Sequence, residues 1–458
     1  MIPPKPKSRA ERVSLWRYMR LFRRDILSAQ PEKLYRAWMA EFKTPFFRSY
    51  MINDPGLIDL VLKVRPDDFP KSERVGAGLR PILGNSVFLT NGATWKRQRR
   101  IIDPSFEGGR LKETYVAMKE AADAAAERLI GQSKRCEVEF EASHATADVI
   151  FRTLFSIPIE HETATQVFDA FRRHQKSQPI LNLAAFVPVP HWVPRFFRRE
   201  SVETARVIRS LITDLTRERL ADIEAGTAPD DLATKIMTTC DPVTGDRFDL
   251  DEMIDQVAIF FLAGHETSAA ALSWGLYLLA THPEWQEAVA DEAGAWDGSF
   301  AGLSKLRVTR DVFRETLRLY PPVPMMVREA TRAETFRKRA VRKGAQIVLS
   351  PWHLHRNPRF WTEPDLFDPA RWSDEATKDA QRTAYMPFSA GPRVCTGAGF
   401  AMVEGVLLLA RLVAAYRFEP IPDRVPVPEA QLTVRSRNGI WLNVIPRELR
   451  DSDPKQRA

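Results

Sequence analysis

The 458-residue sequence is 44% hydrophobic and carries 67 Lys and Arg against 59 Asp and Glu, a net charge of +8. That is ample for a large core and basic without extremity. The charges interleave along most of the chain, which argues against a polyanion-wrapping surface and a nucleic-acid partner. Three cysteines, Cys136, Cys240 and Cys395, make no disulfide framework and suit a reducing, cytoplasmic setting.

The first 30 residues form a basic segment without the apolar run of a signal peptide or membrane anchor. Within it, Leu15, Met19, Phe22 and Ile26 fall on one helical face and Arg17, Arg20 and Arg24 on the other. Two readings stay open: a surface helix packed on the body, and a helix lying on a membrane surface. Helical periodicity then predicts helices over 110–131, 201–225, 251–280, 305–319 and 399–416, with Pro283 and the pair Pro321–Pro322 marking stops. Strands are predicted at "GAQIVLSPW" and within "LTVRSRNGIWLNVIP", the latter read as a hairpin turning at Asn438–Gly439. Length alone suggests two or three domains. No glycine- or serine-rich linker divides the chain, however, and the expectation is one large, mostly α domain over 1–458 with a small β-rich portion.

The run 259–280, "IFFLAGHETSAAALSWGLYLLA", is the most hydrophobic of these helices. As a membrane span it would carry His265 and Glu266 near its centre, at about 2.5–3.5 kcal/mol for the acid. A helix through a soluble core is the better reading, and no transmembrane segment is expected. A metalloprotease HExxH motif is excluded because Ala269 stands where the second histidine is required. Cys395 lies in "FSAGPRVCTG", with no sulfur or nitrogen ligands nearby for zinc. A lone cysteine among glycines suits a single thiolate ligand to a heme iron, with Gly391 and Gly397 allowing close backbone approach and Arg393 able to reach a carboxylate.

"FSAGPRVCTG" resembles the heme-binding loop of the cytochromes P-450, Phe-x-x-Gly-x-Arg-x-Cys-x-Gly, at every fixed position. "WKRQR" (95–99), "AGHETS" (263–268), "ETLR" (315–318) and "FDPARW" (367–372) resemble further motifs of that family, in the right order. The resemblance implies a soluble heme-thiolate monooxygenase using heme b (iron protoporphyrin IX), with Cys395 as the axial ligand and Phe388 shielding the sulfur. It implies heme propionates held by Trp95, Arg99, Arg328 and Arg393. Glu315, Arg318 and Arg371 are expected to form a buried network behind the heme. Gly264 and Thr267 are expected where the central helix distorts to admit dioxygen, the Thr267 hydroxyl as its hydrogen-bond partner and Glu266 as the proton relay. His265 is read as structural.

The substrate is expected to be an apolar small molecule. By resemblance its pocket is lined by "VGAGLRPILGNSVFLT", "ILNLAAFVPVPHW", Phe260 to Ala263, and Met325 and Met326. No flavin or ferredoxin segment follows the cysteine loop, so electrons are expected from a ferredoxin and ferredoxin reductase, or from a flavodoxin-type donor. If Arg99 turns inward, Lys96, Arg97 and Arg100 are expected to face solvent as a docking patch for an acidic donor. The competing readings are a peroxide-driven peroxygenase, which does not require the Glu266–Thr267 pair, and a non-catalytic heme gas sensor or carrier.

Overall fold

A computed structural model describes residues 2–43, 48–107, 109–130, 134–177 and 199–448. Among these, eleven helices of ten or more residues dominate: α1 Leu15–Arg24, α2 Glu73–Leu83, α3 Gly92–Ile102, α4 Arg110–Arg128, α5 Val138–Phe155, α6 Glu162–Ser177, α7 Arg199–Ala225, α8 Leu250–Thr281, α9 Pro283–Gly294, α10 Arg307–Leu319 and α11 Ala398–Ala415. The five predicted long helices are α4, α7, α8, α10 and α11, each within three residues at either end.

The 32-residue α8 is the axis of the molecule. Asp249 and Glu252 close a reciprocal capping box at its N-terminus, which satisfies two backbone N–H groups that have no partner inside the helix. Its apolar residues run almost all the way round, so it is buried on most sides, against α2, α5, α7, α9, α10 and α11. Trp274 of α8 stacks on Tyr320 with ring centroids 3.9 Å apart and both rings buried. Among the described residues one helix, α11, is long and apolar enough to cross a membrane; here it packs against α4, α8, α9 and α10.

Among the described residues, eleven short strands make up the β portion: β1 Met39–Lys43, β2 Arg48–Ile52, β3 Arg135–Glu137, β4 Met326–Glu329, β5 Glu334–Phe336, β6 Arg339–Val341, β7 Gln346–Leu349, β8 Tyr416–Pro420, β9 Pro428–Ala430, β10 Val434–Ser436 and β11 Trp441–Pro446. The largest sheet has the order β1-β2-β7-β4, with β2 and β7 parallel and the other pairs antiparallel. Its buried residues, among them Tyr50, Ile52, Ile347 and Leu349, build a second apolar core beside the helical one. The predicted strand at "GAQIVLSPW" is β7.

The hairpin read at Asn438–Gly439 is corrected. The turn exists, with Gly439 at φ 71°, a left-handed conformation that favours glycine. Yet β10 pairs with β9, whereas β11 pairs with β8 and β3. Both edges of β11 are occupied, and the Asn438 side chain accepts the Val427 N–H, which draws the turn toward β9. Turn chemistry alone did not choose the strand partners.

Candidate functional site

The cysteine loop runs between the end of the sheet region and α11. The Cys395 N–H donates to the Phe388 carbonyl at 2.9 Å, which closes the loop on itself. Gly391 has φ 70°, and a Cβ there would sit 2.0 Å from the Leu62 carbonyl oxygen, so the backbone admits only glycine. Gly397 has ordinary geometry and open space where its Cβ would be, so nothing in the chain itself demands glycine there. The Cys395 sulfur is reachable by solvent although it sits deep. Burial pushes its thiol pKa up, against the pull of the Gly397 N–H and the Arg99 charge.

Trp95, buried on α3, is the centre of a group of cations. The Arg393 guanidinium lies 4.8 Å from its ring centroid, the Lys71 ammonium 5.6 Å and the Arg99 guanidinium 5.8 Å. Arg328 joins them from β4, because Lys71 and Arg328 are partners in an isolated antiparallel bridge. Lys71 donates to the backbone carbonyls of Val87 and Thr90. Arg99 is partly answered by Asp103 at 2.7 Å and the Val394 carbonyl, and Arg393 by the Pro66 carbonyl and, at 3.5 Å, Asp67. Arg328 and Lys71 meet no carboxylate within ion-pair distance among the described residues. The Nε atoms of Arg328 and Arg393 are buried with no hydrogen-bond partner. Electrostatics follows from this crowding. Burial, reinforced by Arg328, Arg393 and Arg99, pushes Lys71 down to about 6, and burial with Arg393 pushes Arg328 down to about 10. Sequence reading missed Lys71.

The residues expected to meet oxygen lie on α8. Ala263, Gly264 and Thr267 lie on its most accessible stretch. The Thr267 hydroxyl donates to the Ala263 carbonyl at 2.5 Å, the back-bond typical of a mid-helix threonine. The helix runs unbroken as α-helix from Leu250 to Thr281, without the expected distortion. Gly264 has a packing reason: a Cβ would stand 2.5 Å from Ile150 Cδ1 of α5. Glu266 turns aside from Thr267. Its Oε1 accepts from the Thr433 hydroxyl at 2.6 Å and pairs with Arg435 of β10 at 3.3 Å. His265 is buried, 2.7 Å from the Ser143 hydroxyl and stacked on Phe261, as a structural residue would be. A further acid escaped the sequence reading. Glu404 of α11 is fully enclosed, accepts from the Ser268 hydroxyl at 2.5 Å, and is pushed up to about 8 by burial.

The network on α10 matches the expectation. Arg318 holds Glu315 through two parallel hydrogen bonds of 2.8 Å, and Arg371 adds a third at 2.9 Å. The Asp368 N–H donates to the same carboxylate. Arg318 also donates to the carbonyls of His355, Pro364 and Leu366. Burial alone would raise the Glu315 pKa, but the two guanidinium groups hold it below the ordinary carboxylate value. The alternative of an exposed pair is excluded, since Glu315 and Arg318 are both 0% exposed.

The docking patch on α3 is only partly formed. Lys96 is exposed beside Asp67, but Arg97 turns to Glu252 in a bidentate pair and Arg100 to Asp241. All three expected free charges are therefore answered within the chain, and Lys96, whose 3.0 Å pair with Asp67 is solvent-exposed, is the one left at the surface. Among the expected pocket residues, Phe88 is exposed and Phe260, Met325 and Met326 are half-buried, with Phe260 against Phe106 at 5.6 Å. The stretch "ILNLAAFVPVPHW" lies outside the described residues.

The family description "Cytochrome P450" matches residues 27–442. The chain is 32% identical over 430 residues to cytochrome P450 4A11 of Homo sapiens, covering 87% of this chain and 80% of that protein. It is 31% identical over 388 residues to cyclooctat-9-en-7-ol 5-monooxygenase of Streptomyces melanosporofaciens (82% and 81%), and 30% over 401 residues to cyclooctatin synthase of the same organism (84% and 84%). With five motifs in order along a helical body, a family match over most of its length and a relative named as a monooxygenase, the chain belongs to the cytochrome P450 family and is a heme-thiolate monooxygenase.

Proposed function

We propose that residues 1–458 act as one domain that holds heme b between α8 and the cysteine loop, with Cys395 as the iron ligand, and oxidises an apolar organic substrate with dioxygen. The observation that carries this reading is the cation group around Trp95. Buried cations need partners, and Arg328 and Arg393 retain unanswered Nε donors while Lys71 meets only backbone carbonyls, all beside the one cysteine set in a matching loop. Two carboxylates of a heme fit that donor set: planar guanidinium groups from Arg328, Arg393 and Arg99, the ammonium of Lys71 and the indole of Trp95. Lys71 is thereby added to the expected set. The open space at Gly397 and the accessible sulfur suit a flat group lying against the loop.

When bound, the heme supplies the activation of dioxygen, to which a thiolate ligand contributes by electron donation. The chain's own residues do the rest. Burial raises the Cys395 pKa, so the Gly397 N–H and the nearby Arg99 charge are what favour its thiolate. Phe388 carries the carbonyl that fixes the Cys395 backbone, and with the heme in place its ring would serve to keep water from the sulfur. The Thr267 hydroxyl, now on the Ala263 carbonyl, rotates to present its proton to oxygen. Glu266 receives protons on the side of Thr433 and Arg435 and passes them toward Thr267 once released from that pair. Phe88, Phe260, Met325 and Met326 give the pocket an apolar, adaptable wall. Electrons come from a ferredoxin with its reductase, or from a flavodoxin-type donor; Lys96 is the exposed cation of α3 that meets it.

Thr267→Ala tests the oxygen chemistry. The variant should bind heme and substrate as wild type does while product per electron falls at least about tenfold, with the electrons recovered as peroxide or water. Unchanged product yield per electron contradicts the role. Steady turnover of wild type with dioxygen and reduced donor also separates a monooxygenase from a peroxygenase, which turns over with peroxide alone, and from a gas carrier, which forms no product.

A further inference from the structure

Helix α1 contains no buried residue, unlike the long helices of the core. Its inward side is used up in packing: Tyr18 and Phe22 are half-buried, their rings 5.7 Å apart, and Arg9 lies 5.6 Å from the Tyr18 ring. The outward side is different. At 3.6 residues per turn, Trp16, Arg17, Arg20, Arg23 and Arg24 share about a third of the circumference. All five are exposed, Trp16 at 77%. None of the four arginine side chains makes an ion pair among the described residues, and no acidic residue lies within the helix. At the end of α1, Asp25 accepts from the Ala430 N–H and Ile26 donates to the Ala430 carbonyl. This ties the helix to the β9–β10 turn, where Leu432 is exposed, and to the approach to β9, where Val425 and Val427 are exposed.

We propose that this face docks the protein on a bilayer surface rich in anionic phospholipid, with Arg17, Arg20, Arg23 and Arg24 on headgroup phosphates and Trp16 at the headgroup level. Charge complementarity chooses the occupant. Four unanswered guanidinium groups around an exposed indole need several phosphates and an apolar layer between them. A lipid surface offers both in any register, whereas a protein partner would have to match each guanidinium with its own acceptor. Trp is a residue of membrane interfaces because its ring is apolar and its N–H is polar. Because Tyr18 and Phe22 are committed to the body, the contact is shallow. It depends on charge, is reversible, and weakens with salt.

The test is flotation of the heme-loaded enzyme with vesicles of phosphatidylglycerol and phosphatidylcholine, against vesicles of phosphatidylcholine alone. Wild type should float with the anionic vesicles at low salt, at least about tenfold more than with neutral ones, and lose that preference in high salt. The variant carrying Arg17→Gln, Arg20→Gln, Arg23→Gln and Arg24→Gln should lose the binding with its heme spectrum and thermal midpoint unchanged. Trp16→Ala should weaken it while leaving the salt dependence. Wild type that ignores anionic vesicles overturns the proposal, as does equal binding to both vesicle types or a quadruple variant that binds like wild type. Binding of the same four arginines to an acidic redox protein, with vesicles ignored, would assign the face to a protein partner instead.

Discussion

Two groups of buried cations sit in this molecule, and they are answered in opposite ways. On α10, Arg318 and Arg371 converge on one carboxylate, Glu315, and the remaining Arg318 donors end on backbone carbonyls. Around Trp95, Arg328, Arg393 and Lys71 converge on no shared carboxylate; burial depresses the pKa of all three, and neighbouring cations add to it at Lys71 and Arg328. Burial of a charge is costly unless it is paired. The first group is therefore complete as folded and acts in structure. The second carries positive charge toward a common space, which is the arrangement a ligand with two carboxylates needs.

The comparison breaks most visibly if the complete group is opened. Glu315→Gln leaves two guanidinium groups buried without a counter-charge, and the expected cost is about 3–5 kcal/mol. Denaturant titration of the heme-loaded protein should show the loss, or the variant should fail to accumulate folded. A midpoint within experimental error of wild type would mean that the network contributes nothing.

The same kind of substitution in the other group should do something else. Arg328→Leu removes a charge that the protein does not answer, so the heme-free fold should be unharmed or somewhat more stable. Heme should instead leave faster, by at least about tenfold as read by transfer to an acceptor globin. A large loss of heme-free stability with unchanged heme release would place Arg328 in the structural class with Arg318.

A smaller effect sharpens the contrast through pH. Lys71 is held near 6 in the fold, well below its ordinary value. Between about 6 and 10.5 the unfolded chain therefore binds a proton that the heme-free fold does not, and stability of that form rises as pH rises through this window. Lys71→Met should flatten the rise, measured by denaturant midpoints from about pH 6 to 9. Bound carboxylates would restore the ammonium, so the heme-loaded protein should lack the slope. A wild-type heme-free protein without the slope contradicts the crowded-cation account.

Much of this arrangement was legible in the residues, and the failures have physical causes. Long amphipathic repeats placed α4, α7, α8, α10 and α11, because helix periodicity is local. The Glu315–Arg318 spacing gave a pair on one helix face, and the resemblance of "FDPARW" supplied Arg371. Strand pairing is not local: a sound turn at Asn438–Gly439 joins two different sheets. Lys71 was missed because only the fold places it over the Trp95 ring and bridges it to Arg328, 257 positions away in sequence. Arg97 and Arg100 looked free on α3 because Glu252 and Asp241, which bind them, come from a distant part of the chain. Glu404 had a signal that went unread: a lone acid in the apolar run "AMVEGVLLL" announces an enclosed carboxyl.

The central claim, that the cysteine loop and the Trp95 cations together hold a heme with sulfur on its iron, is tested most directly at Cys395. The reduced carbonyl complex of the wild-type protein should show the long-wavelength absorption band that marks a thiolate-ligated heme, and Cys395→Ser should abolish that band. Retention of the band in Cys395→Ser would contradict the account.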